Sequence, residues 1–288
     1  MNQIDADIYS AARIIAGADT LVIAAGAGMG VDSGLPDFRG ETGFWNAYPA
    51  LARAKIRFSD VANPRSFEEN PSLAWGFYGH RLALYRETLP HVGFQILREW
   101  GRTMDRGTWI YTSNVDGHFQ KAGFEESVIN EGHGSMHHLQ CTSDCPSGVW
   151  RADDYVPEVN SETCQLIGEP PTCRVCGSLA RPNILMFGDW GWDDDRNRLQ
   201  VRRQERWFEG VSLSPAKAVI IEIGAGTAIP SVRQFGKRVS QIFDARRIRI
   251  NLREPAVASP NDVGIARGAL DALQSINDAL RRIRTSVC

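Results

Sequence analysis

Four cysteines in this sequence fall in two close pairs, Cys141-x3-Cys145 and Cys173-x2-Cys176. Each pair can set two thiolates on one metal, and four thiolates make a closed tetrahedral shell that selects Zn²⁺ over harder cations. A closed shell leaves no place for water, so the expected role is structural. Cys164 lies in the loop between the pairs and is read as a spare buried thiol, while Cys288 is terminal and takes no part. A second chemistry is marked by Glu131-Gly132-His133-Gly134. A histidine flanked by glycines after a short apolar run is uncrowded, and its ordinary pKa of about 6.5 suits a general base at neutral pH. His137 and His138 are its nearest rivals, and they could instead lie beside the metal. A third is Gly26-Ala27-Gly28, directly after the apolar run TLVIAA (20–25), where glycines let backbone N–H groups approach a pyrophosphate. Val31 breaks the strict G-x-G-x-x-G spacing, but the loop runs on to Leu35-Pro36-Asp37-Phe38-Arg39, setting an acid, an aromatic and a cation side by side. Finally, Thr112-Ser113-Asn114-Val115-Asp116 follows the run TWIYT (108–112). A polar cluster at the carboxyl end of a parallel strand opens on a ligand crevice, although Asn and Asp are also good helix caps.

Gly-Ala-Gly followed by Ser-Gly-Leu-Pro-Asp-Phe-Arg resembles the cofactor loop of the sirtuins, the NAD-dependent protein deacylases. The remaining motifs fall in that family's order along nearly the whole chain. Asn114-Val115-Asp116 resembles its Asn-Ile-Asp, His133-Gly134 its catalytic His-Gly, and the cysteine pairs stand where it carries a zinc module. Arg181-Pro182 through Phe187-Gly188-Asp189 is similar to its substrate segment, and Gly224-Ala225-Gly226-Thr227 stands at its second glycine turn.

The resemblance implies two bound groups, NAD and Zn²⁺. NAD would meet Gly26, Ala27, Gly28, Ser113, His133, Gly224, Gly226, Thr227 and, near the adenine ribose, Asn251. Asn114 and Asp116 would hold the nicotinamide ribose and orient the carboxamide pocket. Asp37, Phe38 and Arg39 would cover the nicotinamide and exclude water. Cys141, Cys145, Cys173 and Cys176 would hold the zinc. The partner implied is an acylated lysine in a protein or peptide, its backbone added as a strand beside the Phe-Gly segment. In the implied reaction the acyl oxygen attacks C1′ of the nicotinamide ribose and expels nicotinamide. His133 then deprotonates a ribose hydroxyl, directly or by relay, and water releases lysine and O-acyl-ADP-ribose.

Trp75-Gly76-Phe77-Tyr78-Gly79-His80-Arg81 bears on the acyl group. The sirtuins that prefer acidic acyl chains have Tyr-x-x-Arg here, and a phenol with a guanidinium fork suits the far carboxylate of a succinyl or malonyl group. Tyr78 and Arg81 equally fit a packed tyrosine with a surface arginine. Gly30 stands where the family has Ser, and Ser113 where it has Gln. Both positions line the nicotinamide end, so ADP-ribosyl transfer or NAD hydrolysis is the rival activity, and a catalytically poor NAD- or ADP-ribose-binding module is a third reading.

The elements that must position these residues alternate. Helix is expected over 5–17, strand over 20–25, helix over 92–101, strand over 108–112, helix from 116, and a short strand within 127–134. Strand 183–187, helix 195–208, strand 216–224, helix 231–243, strand 247–251 as the last, and a closing helix over 268–283 follow. Such alternation specifies an α/β fold, a Rossmann-like doubly wound parallel sheet. It would be assembled from 1–48, 91–138 and 181–288, with a helical insertion at 49–90 and a small zinc-binding module at 139–180. A net charge of −2 and the lack of long basic runs argue against nucleic acid. The acid-bearing opening residues do not read as a signal peptide, and no apolar run approaches a membrane span. The expectation is a soluble, cytoplasmic protein without a membrane partner.

Overall fold

The computed structural model describes residues 3–36 and 40–285. Three strands come first: β1 (Thr20–Ala25), β2 (Thr108–Thr112) and β3 (Ile129–Glu131). A central group follows, β4 (Gly134–Cys141), β5 (Trp150–Arg151), β6 (Glu158–Asn160), β7 (Gln165–Ile167) and β8 (Ala180–Ile184). The last three are β9 (Ala218–Ile223), β10 (Arg246–Ile250) and β11 (Val263–Ile265). Six of them form one parallel sheet in the order β11-β10-β9-β1-β2-β3. The chain winds outward from β1 through β2 and β3, then returns to the other side of β1. The order therefore reverses at β1, and in an open α/β sheet that reversal is where ligands enter.

Burial explains why these strands are short and apolar. Every residue of β1 and of β9 is buried, because helices cover both faces of the sheet. Gln3–Ala16, Val92–Arg102 and Ala269–Thr285 pack one face around Ile15, Leu21, Leu97 and Ile276. Asp195–Ser212 and Ser231–Phe243 pack the other around Val22, Ile220, Phe208 and Phe235. The charge inside β9, Glu222, is fully buried and is held by Arg249, whose Nε donates to its carboxylate at 2.6 Å. A carboxylate in that position needs its partner to offset lost hydration.

The insertion is helical throughout, from Pro49–Arg53 to the long helix Pro71–Glu87. It shares one core with the cysteine-bearing stretch: Phe44, Trp75, Phe77 and Tyr78 pack with Met136, Leu139, Leu166 and Ile184. The antiparallel sheet β5-β4-β8 is the base from which that stretch projects.

Two expectations need correction. The strand expected over 183–187 is Ala180–Ile184, and it pairs antiparallel with β4 rather than joining the parallel sheet. Asp189 is the reason: it takes both Arg181 guanidinium nitrogens, at 2.8 and 2.9 Å, and the Met186 N–H at 3.2 Å, which turns the chain after Ile184. Arg181 and Pro182 are consequently buried strand residues. The strand ending at Ile250 is also not the last, because Val263–Ile265 pairs with β10 at the sheet edge. No helix among the described residues is long and apolar enough to cross a membrane.

Candidate active site

Parallel register brings the carboxyl ends of the strands level. Ala25 lies beside Thr112 and Ile223, Thr112 beside Glu131, and Ile223 beside Ile250. Every loop that carries an expected site residue on the large domain therefore leaves the sheet on one rim.

At the centre of that rim the two glycine turns are pressed together. Gly26 N–H donates to Ile223 O and Gly28 N–H to Gly224 O, at 2.9 and 3.1 Å. Gly224 has φ +63°, and a Cβ there would come within 2.4 Å of Met29 N. A side chain at Gly26 would meet Gly224 O at 2.8 Å. Only bare backbone fits, and it leaves Ala27 exposed and Gly28 half-buried at the rim. Such a cradle of backbone suits a pyrophosphate.

Two asparagines hold the turns from either side. Asn114 Nδ2 donates to Gly26 O at 3.1 Å, while its own N–H donates to Thr112 Oγ1 at 3.0 Å. Asn251 Nδ2 donates to Ala225 O at 2.8 Å, and its Oδ1 accepts the N–H groups of Arg253 and Glu254. Ser113 is tied to β1 through Ala25 O. Asp116 is buried, with Oδ1 accepting His118 N–H at 2.9 Å. A Cβ at Gly30 would meet Leu35 Cδ1 at 3.0 Å and Asp116 Oδ2 at 3.7 Å, so the position is closely packed against both. Gly226 is half-buried, and Thr227 is exposed with Oγ1 donating to Glu254 at 3.3 Å. Asp37, Phe38 and Arg39 lie outside the described residues.

His133 follows β3 and is half-buried on the same rim. Burial holds its imidazole below the ordinary histidine range, with a backbone hydrogen bond to Ser113 opposing. The ring is thus neutral at neutral pH, as a base must be. Its Nε2 lies 3.1 Å from Ser231 Oγ. Sequence reasoning passed over Ser231, because a serine after Pro230 at the start of a helix has the pattern of a cap. The rivals sit elsewhere: His137 Nε2 bonds Asp116 O at 2.9 Å, and His137 and His138 line a cavity of about 240 Å³ with Arg86, Lys121 and Arg196.

The four cysteine sulfurs converge, all within 4.8 Å of one another, and Cys164 is not among them. Cys141 and Cys176 are 3.5 Å apart, Cys145 and Cys173 3.7 Å. A tetrahedral zinc with bonds of about 2.3 Å spaces its sulfurs about 3.8 Å apart. Backbone N–H groups of Cys176 and Val175 draw the Cys173 thiol down to about 6, toward the thiolate that a metal ligand must be. The donor set fits Zn²⁺. Cys164 is instead buried in the shared core of the small lobe.

Tyr78 and Arg81 come together inside that lobe. The Arg81 guanidinium is buried, 5.9 Å from the Tyr78 ring and 5.4 Å from that of Phe77, and it donates to Tyr85 Oη. Tyr85 in turn feels the charge of Asp116.

A family model described as the Sir2 family matches residues 26–203. The chain belongs to the Sir2 family. Among curated proteins, this sirtuin is 30% identical to NAD-dependent protein deacylase 2 of Pyrobaculum aerophilum over 276 residues, covering 95% of this chain and 96% of the relative. It is 28% identical to an NAD-dependent protein deacylase of Aquifex aeolicus over 261 residues, 91% and 95% of the two chains. Among solved structures it superimposes on a Sir2 enzyme described for its mechanism and regulation with a TM-score of 0.68 and 26% identity, over 97% and 100% of the chains. A Sir2 homologue bound to ADP-ribose shares the fold at a TM-score of 0.70 and 24% identity, over 99% and 98%.

Proposed function

We propose that this sirtuin removes acyl groups from protein lysines with NAD, releasing nicotinamide and O-acyl-ADP-ribose, and that His133 is its general base. The enzyme class, an NAD-dependent protein deacylase, follows from the family and from relatives that span nearly the whole chain. One observation supports the residue-level reading above the others. A neutral imidazole and a bare-glycine cradle share one rim of the sheet, at the point where strand order reverses.

When bound, NAD supplies an electrophilic ribose carbon and a leaving nicotinamide. The residues of this chain do the rest. The bare turns at Gly26, Gly28 and Gly224 leave room for the pyrophosphate, and the Asn114 and Asn251 amides keep both turns in place. Gly226 and Thr227 stand at the adenosine end, with Ala27 and Ser113 along the rim. Asp116 faces the carboxamide end. His133 takes up at Nε2 the proton lost by a ribose hydroxyl, directly or by relay. Cys141, Cys145, Cys173 and Cys176 hold Zn²⁺, which braces the small lobe.

The finer reading concerns the acyl chain. A desolvated guanidinium gains most from an anionic partner, so Tyr78 and Arg81 fit an acidic acyl group such as succinyl or malonyl. Turnover of succinyl and acetyl forms of one peptide, with Arg81→Met alongside, tests this. The variant is expected to lose roughly tenfold or more on the succinyl peptide, the scale of a charge-assisted contact, and little on the acetyl one. Equal loss on both discards the assignment. The Gly30 and Ser113 departures leave room for the rival activity, ADP-ribosyl transfer or NAD hydrolysis. Incubation with NAD and no peptide separates them: the deacylase releases nicotinamide slowly, whereas fast release selects the rival.

A further inference from the structure

We propose that Ser231 is a catalytic relay, passing a proton from the ribose hydroxyl to His133. The inference deepens the deacylase reading and rests on it.

Three elements meet at this hydroxyl. Ser231 opens the helix Ser231–Phe243, and its Oγ lies 3.1 Å from His133 Nε2. Burial pushes the phenol of Tyr111, on β2, up, and the neighbouring Ser231 side chain draws it back. The Tyr111 ring stacks on Phe235, centroids 4.4 Å apart and planes 14° from parallel. Ser231 and Phe235 are four residues apart and so share one helix face. The ring stack thereby fixes where the first turn of the helix delivers its hydroxyl. Gly132 completes the fit, because a Cβ there would meet Tyr111 Oη at 2.4 Å. The residue before the general base is bare so that a phenol can lie under it.

The donor and acceptor roles are set from the far side of the ring. In the relay the proton of His133 sits on Nδ1, on the side of the Ser113 backbone, and Nε2 is the acceptor. Ser231 O–H then donates to Nε2, and a lone pair on Oγ remains for an incoming hydroxyl. As the ribose O–H proton reaches Oγ, the proton of Ser231 reaches Nε2. One O–H bond breaks and one forms at the serine, which ends neutral. The net transfer is one proton from ribose to imidazole.

The test compares Ser231→Ala, Ser231→Thr and His133→Ala in the full chain. In the free protein, the ¹⁵N resonance of His133 Nε2 is expected to move in Ser231→Ala and to stay in Ser231→Thr. An unmoved resonance in the alanine variant overturns the contact. With NAD and acyl peptide, Ser231→Ala should slow deacylation roughly 10- to 100-fold, below the loss of the base itself. Nicotinamide exchange into NAD, which precedes the proton step, should persist, and threonine should restore turnover. Ser231→Thr as slow as Ser231→Ala overturns the relay, and covers the case of an alanine variant that folds poorly. If His133→Ala is slow while Ser231→Ala is not, the relay fails and the general base stands. If His133→Ala keeps full turnover, the general-base reading itself fails.

Discussion

The crevice and the cysteine cluster fix their side chains by opposite means. On the rim, positions are inherited: β1 and β9 are buried along their whole length, and their register delivers the two glycine turns to each other. Little needs to be added locally except two asparagine amides. In the 139–180 stretch β5, β6 and β7 are two or three residues long, and Val156, Ile167 and Val175 are exposed. Leu139, Ala152 and Leu166 anchor the stretch in the shared core, and the sulfurs supply what burial does not at the loops that carry the cysteines. The difference teaches where each region is vulnerable. The rim depends on the large domain as a whole, and the cluster depends on one ion.

The largest expected effect is therefore on the cluster. Zinc binding to such modules is linked to folding with free energies on the order of 10 kcal/mol. Chelation, or Cys173→Ala, should release the metal and loosen 139–180 while the parallel sheet persists. Hydrogen exchange read together with metal content checks this, and protection lost evenly over both regions would erase the contrast. Next is His133→Ala, expected to slow deacylation on the order of 10²–10⁴-fold with folding intact. Its pH signature has a definite sign. Burial lowers the His133 pKa, so the neutral base persists on acidification, and the acid limb of kcat/KM should fall below about pH 6.5. A limb above the ordinary histidine value would mean another group is titrating.

Gly224→Ala is a smaller perturbation at the other end of the rim. A Cβ at φ +63° costs about 1–3 kcal/mol, and here it also strikes Met29 N. A lower melting temperature with weaker NAD binding is expected, and unchanged NAD affinity would dissociate the turn from the cofactor. Smallest is Cys164→Ala, a core truncation costing about 1 kcal/mol. It should leave one zinc per chain, and a reduced stoichiometry would place Cys164 among the ligands after all.

Legibility in the sequence followed the same division. The cysteine pairs are visible as thiols at ligand spacing, whereas the glycine turn, Asn114 and His133 stand out only through the resemblance of their motifs, in order, to the sirtuins. What stayed hidden depends on partners distant in the chain. β8 contains Arg181 and Pro182, which read as loop until Asp189 is seen to neutralise the guanidinium. β11 has three residues and no periodicity to detect, since it exists through its pairing with β10. Ser231 and Tyr111 look like a cap and a core aromatic, and only their approach to a residue on another strand gives them a role. The shared core of the helical insertion and the cysteine stretch was hidden for the same reason, since Leu166 and Trp75 meet only in space.

The backbone just past β8 touches both halves of the molecule within three residues. Leu185 N–H is taken by the carbonyl of His133 at 3.0 Å, and Phe187 N–H by that of Ala62 at 3.0 Å. A strap fastened at both ends transmits tension. The residue that carries the imidazole and the helical lobe are thus moored to one short length of backbone.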